Sequence, residues 1–143
     1  MHRLIDLLHD TGCSLVVESS DSRVTTHSQK GVRDLIALLD HEPERLRGAR
    51  VADKVIGKAA AALIIRGGVS QLYADVLSRQ ALPLLQASTV AFDYGTLVDA
   101  IVIAEGDDRC PLEQIVAPAA TPAEAESLLR LHFAEMSQSR FQR

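Results

Sequence analysis

One stretch constrains the fold more than any other: from Asp53 to Gly68 the chain reads as a helix with almost no polar face. Val55, Ile56, Leu63, Ile64 and Ile65, with Ala59 to Ala62 between them, would be apolar nearly all round, so this helix must lie inside a layered structure. Asp53 is a good N-cap and Gly67-Gly68 a good left-handed stop, which predicts helix from Asp53 to Arg66. The opening breaks a local rule. Lys54 falls in the first turn, where the helix dipole disfavours a cation, and Lys58 follows one turn later on the same side. Two amines beside one carboxylate at the mouth of a greasy helix are the kind of local conflict found at functional sites.

A chain of 143 residues, 47% of them hydrophobic, is long enough for one domain with a proper core. Its formal charge of −4 is spread without a basic stripe, which argues against a nucleic-acid binder and leaves small-molecule or protein partners. No window reads as a membrane span. Charges within Met1 to Asp10 interrupt the apolar run that a signal peptide needs, so the expected location is cytoplasmic. Cys13 and Cys110 share no paired spacing, which fits a reducing compartment.

Taken in order, Leu4, Ile5, Leu7 and Leu8 predict a short first helix from Arg3 to Asp10, stopped at Gly12. Cys13 to Glu18 and Arg23 to Ser28 flank a serine-rich turn and predict a β-hairpin. A helix over about Gly31 to His41 and a connector from Glu44 to Val51 lead to the central helix. Val69 to Leu77 reads as a strand, Arg79 to Gln86 as a helix that Ser78 could cap, and Thr89 to Asp93 as another strand. Pro83 predicts a bend or a short first turn in that helix. A right-handed crossover would make the two strands parallel, joined to the antiparallel hairpin in a mixed sheet. Thr96 to Ile103 is apolar and fits either helix or strand, with helix the expectation, and Gly106-Asp107-Asp108 reads as a turn. Thr121-Pro122-Ala123-Glu124 is a capping box that opens a C-terminal helix to about Met136, with a solvated polar face and a frayed tail.

Known chemical motifs are mostly absent. The five histidines have no partner at ligand spacing and neither cysteine belongs to a CxxC, so no metal and no cofactor are expected. Gly57-Lys58 lacks the rest of a phosphate-binding loop. What remains is Asp53, Lys54 and Lys58, with Ser78 opening the next helix. Helix N-termini that follow strand ends converge on one crevice in an open α/β sheet. A lysine among apolar neighbours can act as base or nucleophile, or bind an anion when charged. The plainer alternative is that both lysines reach solvent and Asp53 is only a cap. Cys110, followed by Pro111 and Glu113, could be a reactive thiol beside a lysine; the alternative is a small packed hydrophobe.

Three stretches, Val51-Ala-Asp-Lys-Val-Ile-Gly-Lys-Ala-Ala-Ala61, Leu77-Ser78 and Cys110-Pro-Leu-Glu113, resemble family 1893 of the domains of unknown function. These are short bacterial and archaeal proteins placed in the cytidine-deaminase-like superfamily. The resemblance runs from about Arg3 to Val116. It implies a three-layer α/β/α fold around a mixed sheet for residues 1–120, with residues 121–143 as a helical extension packed on the same domain. Zinc-dependent deaminases carry His-x-Glu or Cys-x-Glu and Pro-Cys-x-x-Cys at the corresponding helix starts. This chain has Asp53, Lys54, Lys58 and Ser78 there, so zinc-water deamination is not carried over with the fold.

The sequence thus leads to a metal-free pocket for a small anionic or nucleotide-like molecule. Lys54, Lys58, Asp53 and Cys110 are its candidate catalytic residues, and Ser78 and Glu113 its candidate ligand-binding residues. The pocket belongs either to an enzyme or to a non-catalytic ligand-binding or regulatory module. A homo-oligomer is a further open reading.

Overall fold

The structure, a computed structural model, describes residues 1–29, 32–101 and 109–141, with backbone alone at 109–110 and 137–141. Among the described residues, five strands form one mixed sheet, in the order β2-β1-β3-β4-β5. Strands β1 (Leu15–Glu18) and β2 (Val24–His27) form the expected antiparallel hairpin. Strand β3 (Arg50–Ile56) pairs antiparallel with β1 and parallel with β4 (Gln71–Ser78). Strand β5 (Ala91–Val98) runs parallel to β4 and forms the edge.

Helices cover both faces. On one, α1 (His2–Thr11) sets Leu4 and Leu8 against Val16 and Ala52, with Cys13 buried among them. Gly12 ends α1 at φ 69°, a conformation that suits a residue without Cβ. On the other face lie α2 (Arg33–His41), α3 (Lys58–Gly67) and α4 (Leu82–Gln86), with α5 (Arg109–Val116) and α6 (Pro122–Phe141) completing the layer. Ala59 to Ile64 are all buried, so the alanine-rich helix is the centre of the core. The small side chains let neighbouring helices approach closely on every side.

Two readings of the sequence need correction here. Residues Asp53 to Ile56 are strand, not the first turns of the central helix. Strand β3 is buried on both sides, so its sequence lacks the alternation that identifies a half-exposed strand, and a single residue, Gly57, joins it to α3. The second correction concerns Thr96 to Val98, which extend β5 instead of starting a helix. Residues 102, 103 and the expected turn at 106–108 lie outside the described residues.

The junction after β4 follows expectation. Ser78 accepts a hydrogen bond from the Gln80 N–H at 3.2 Å and caps a 3-10 turn, Arg79–Ala81, which passes into the short helix containing Pro83. At the C-terminal helix, Thr121 Oγ1 accepts from the Glu124 N–H at 3.2 Å, while Glu124 Oε2 accepts from Ala120 N–H at 3.0 Å. The polar face of α6 is not merely solvated. Glu126 receives Arg66 of α3 at 2.8 Å and Arg130 at 2.8 Å, and Arg130 also reaches Asp40 of α2 at 2.8 Å.

Candidate functional site

The parallel register places Ile56 beside Leu77, so Gly57 and Ser78 follow together at the C-terminal ends of β3 and β4. Gly57 is the N-cap of α3, with extended backbone at φ −100° and ψ −172° and no side chain to offer. The first-turn N–H groups of α3 therefore need acceptors from elsewhere. Glu113 of α5 supplies one: its Oε2 accepts from the Ala59 N–H at 3.3 Å. A Cβ at residue 57 would stand 1.4 Å from Glu113 Oε1 and 2.5 Å from Ile101 Cδ1, so only glycine leaves room for this carboxyl group.

Around it lies a hollow of about 10 Å³, walled by Val32, Val55, Ala59, Ala60 and Leu112. That is space for about one water molecule. Burial raises the Glu113 carboxyl above the ordinary range, outweighing the Ala59 and Lys58 backbone donors and the Lys58 charge, which lower it. A carboxyl group in such a place can serve as hydrogen-bond acceptor or as proton donor, and it can hold a ligand N–H.

The other candidates disperse. Asp53 lies in β3, where it is 8% exposed and accepts from the Val55 N–H at 3.2 Å. It does not cap α3. Strand alternation puts Lys54 on the same side as Ala52, facing α1 and away from the hollow. Lys58 is the first residue of α3, but its Nζ donates to the Ala117 carbonyl at 3.0 Å, just past the C-terminal end of α5. A cation there complements the helix dipole. Ser78 is 1% exposed beside Gly57, its hydroxyl engaged by Gln80. Cys110 lies in α5, three positions before Glu113, and its side chain is outside the described residues. Of the proposed set, Glu113 and Lys58 meet at the first turn of α3, where the Lys58 backbone N–H and charge act on the Glu113 carboxyl, while Ser78 ends the neighbouring strand. Among the described residues no three His, Cys, Asp or Glu side chains gather as metal ligands.

Two polar groupings escaped the sequence reading. On the α1 face, His9 Nε2 meets both carboxylate oxygens of Asp75, at 2.8 and 2.9 Å. Burial, a hydrogen bond to Asp75 and the charges of Asp75 and Asp93 together raise the Tyr73 phenol. On the other face Asp34, 8% exposed, accepts from the Gln29 N–H at 2.9 Å; its carboxyl is raised by burial, against the lowering influence of His27 and that hydrogen bond. These residues come from separate elements, so no local spacing could announce them. Only the chemistry of each carboxylate in its final place does so.

Comparison with known proteins agrees with this architecture. A crystal structure of a DUF1893 family protein (TM1506) from Thermotoga maritima superposes with a TM-score of 0.78, at 24% identity, covering 94% of this chain and 88% of that one. No curated protein matches. The profile of the domain of unknown function DUF1893 (TM1506) matches residues 3–133, which takes in most of α6 as well as the sheet. The chain belongs to the DUF1893 family.

Proposed function

We propose that this chain is a small-molecule binding module whose site lies at the C-terminal ends of β3 and β4, with Glu113 as the group that reads the ligand. The observation that carries this is the placement of one carboxyl group in an apolar hollow, over a glycine, at the first turn of a buried helix. Of the two ligand classes the sequence suggested, this geometry favours the nucleotide-like one, and within it the base. Lys58 donates to the Ala117 carbonyl and Lys54 lies across the sheet, so neither side chain lines the hollow. A carboxylate instead suits a neutral molecule offering N–H donors, such as a nucleobase edge or a small amide. The hollow has room for about one water, so a ligand enters by displacing side chains around Glu113.

The test is a titration of uniformly 15N-labelled protein with free nucleobases, small amides and inorganic phosphate, following the Ala59 amide resonance. A base or amide should shift Ala59 saturably in the wild type, and Glu113→Gln should weaken that binding because the amide replaces a full acceptor. Phosphate binding without base binding, or equal affinities in both proteins, would reject the assignment. Turnover of a bound base would make the protein an enzyme instead of a module.

A further inference from the structure

The two edges of the sheet are unequal. Strand β2 is four residues long, a length that limits edge-to-edge pairing. Strand β5 has eight residues, no proline and no lysine, and among the described residues its outer side has no strand neighbour. It is also thinly covered on its faces. Asp93, Tyr94, Gly95 and Thr96 are all exposed, Tyr94 at 38%. Pairing with β4 matches Phe92 to Leu72, Tyr94 to Ala74, Thr96 to Val76 and Val98 to Ser78. These four β5 residues therefore share the face on which Leu72 and Ala74 join the main core, and form a stripe of aromatic and β-branched side chains.

We propose that two copies of this chain pair antiparallel through β5, about a two-fold axis at Gly95, to give one continuous sheet. A two-fold axis perpendicular to a sheet keeps each side chain on its own face, so only residues of like parity can meet. Centred on Gly95, the pairing sets Phe92 against Val98 of the second copy and Tyr94 against Thr96, each twice. Aromatic residues opposite β-branched ones are favourable cross-strand pairs. Charge selects this register over its neighbours. Centring on Asp93 would oppose two carboxylates, and centring on Tyr94 would press two phenols together on the axis. With Gly95 at the centre, Asp93 faces Leu97 instead. It also comes to the end of the other strand where Arg79 stands, 59% exposed and 2.9 Å from Asp99. The acid of one copy is thus set near the base of the other.

Sedimentation velocity of the full chain should show a concentration-dependent species of twice the chain mass. The double variant Tyr94→Lys with Thr96→Lys, which opposes ammonium groups across the axis, should sediment as a monomer with an unchanged circular dichroism spectrum. The double variant Tyr94→Cys with Thr96→Cys should form an intermolecular disulfide under mild oxidation, with peptide mapping that joins position 94 of one copy to 96 of the other. This second arm decides the matter if the lysine variant fails to fold. A wild-type chain that stays monomeric at every concentration, a dimer that survives the lysine substitutions in folded protein, or crosslinks that avoid these positions would each overturn the proposal.

Discussion

Glu113 of α5 accepts a hydrogen bond from the Ala59 N–H of α3, 54 positions earlier in the chain, at 3.3 Å. This one contact caps the core helix, fixes α5 against it and places an ionisable group at the strand ends. Its energetic weight follows from the asymmetry of buried hydrogen bonds. Forming one adds about 1 kcal/mol, whereas stranding a buried partner costs about 1–3 kcal/mol.

Gly57→Ala isolates the space that this contact requires. The backbone at residue 57 is extended and accepts any side chain, so strain in φ plays no part. The added methyl would overlap Glu113 Oε1 and Ile101 Cδ1. We expect a loss of about 1–3 kcal/mol in urea unfolding. Glu113→Ala alone should also destabilise, but the double variant should lose much less than the sum, because alanine at 113 vacates the space that the new methyl needs. Strict additivity would mean that the two residues do not meet.

The pH dependence of Glu113 has a definite sign. Burial raises its folded-state pKa above the unfolded value, so the folded chain holds a proton that the unfolded chain has already released. The stability from that proton is fully present below the unfolded pKa and is lost as pH rises through the folded one. Unfolding free energies measured from acid to neutral pH should therefore fall for wild type relative to Glu113→Gln as pH increases. Asp34, whose carboxyl is also raised, is present in both proteins and cancels in the difference. A flat difference curve would mean that Glu113 titrates as it does in the unfolded chain.

How far the sequence could lead is clearest at β3 and α3. The apolar run, the stop at Gly67-Gly68 and the serine at 78 were legible because helix stops and caps are local. The strand Arg50–Ile56 was not, since Ala52, Asp53 and Lys54 carry little strand propensity and no turn separates the strand from the helix. Placing the helix start four residues early made Asp53 a cap and brought Lys54 and Lys58 onto one face. In a strand, Asp53 and Lys54 point to opposite sides. Glu113 was noticed only as a neighbour of Cys110 and Pro111, because a cap supplied by a distant helix leaves no trace in nearby spacing.

Lysine substitutions separate the present site from the one first expected. Lys58 Nζ bonds the Ala117 carbonyl, and the side chain is partly exposed. Lys58→Met should lower stability by at most about 1 kcal/mol and leave base binding unchanged. Lys54→Met should likewise leave binding unchanged. A tenfold or greater loss of affinity in either variant, roughly 1.4 kcal/mol, would return the lysines to the site.

The ions on α6 should respond to salt and acid in the opposite direction from Glu113. Partial burial opposes ionisation of Glu126, but Arg66 and Arg130 donate to it and hold its carboxyl below the ordinary range. Its stabilisation is present above the unfolded pKa and is lost as pH falls through the folded value. The two arginine side chains are 49% and 40% exposed, so Glu126→Gln should cost only about 1 kcal/mol at neutral pH. That cost should shrink in high salt and in acid. Salt-independent destabilisation would point to packing as its source.

Packing is the larger tie between α6 and the rest of the fold. Leu129 is 0% exposed and Ala125 also 0%, both within the same core cluster as the alanines of α3. Leu131, on the same helix, is 57% exposed. Leu129→Ala should cost about 2–5 kcal/mol, the range for a cavity in a core that closes only in part. Leu131→Ala should stay within about 0.5 kcal/mol, as exposed substitutions do. Both variants keep the helix propensity of α6, since alanine is the best helix former, so the difference reads burial alone. If chemical unfolding gave equal midpoints for the two variants, α6 would be an appendage, and a chain ending at residue 120 should fold unaided. If the difference appears, removing α6 uncovers the apolar surface of α3, and the shortened chain should lose its cooperative transition.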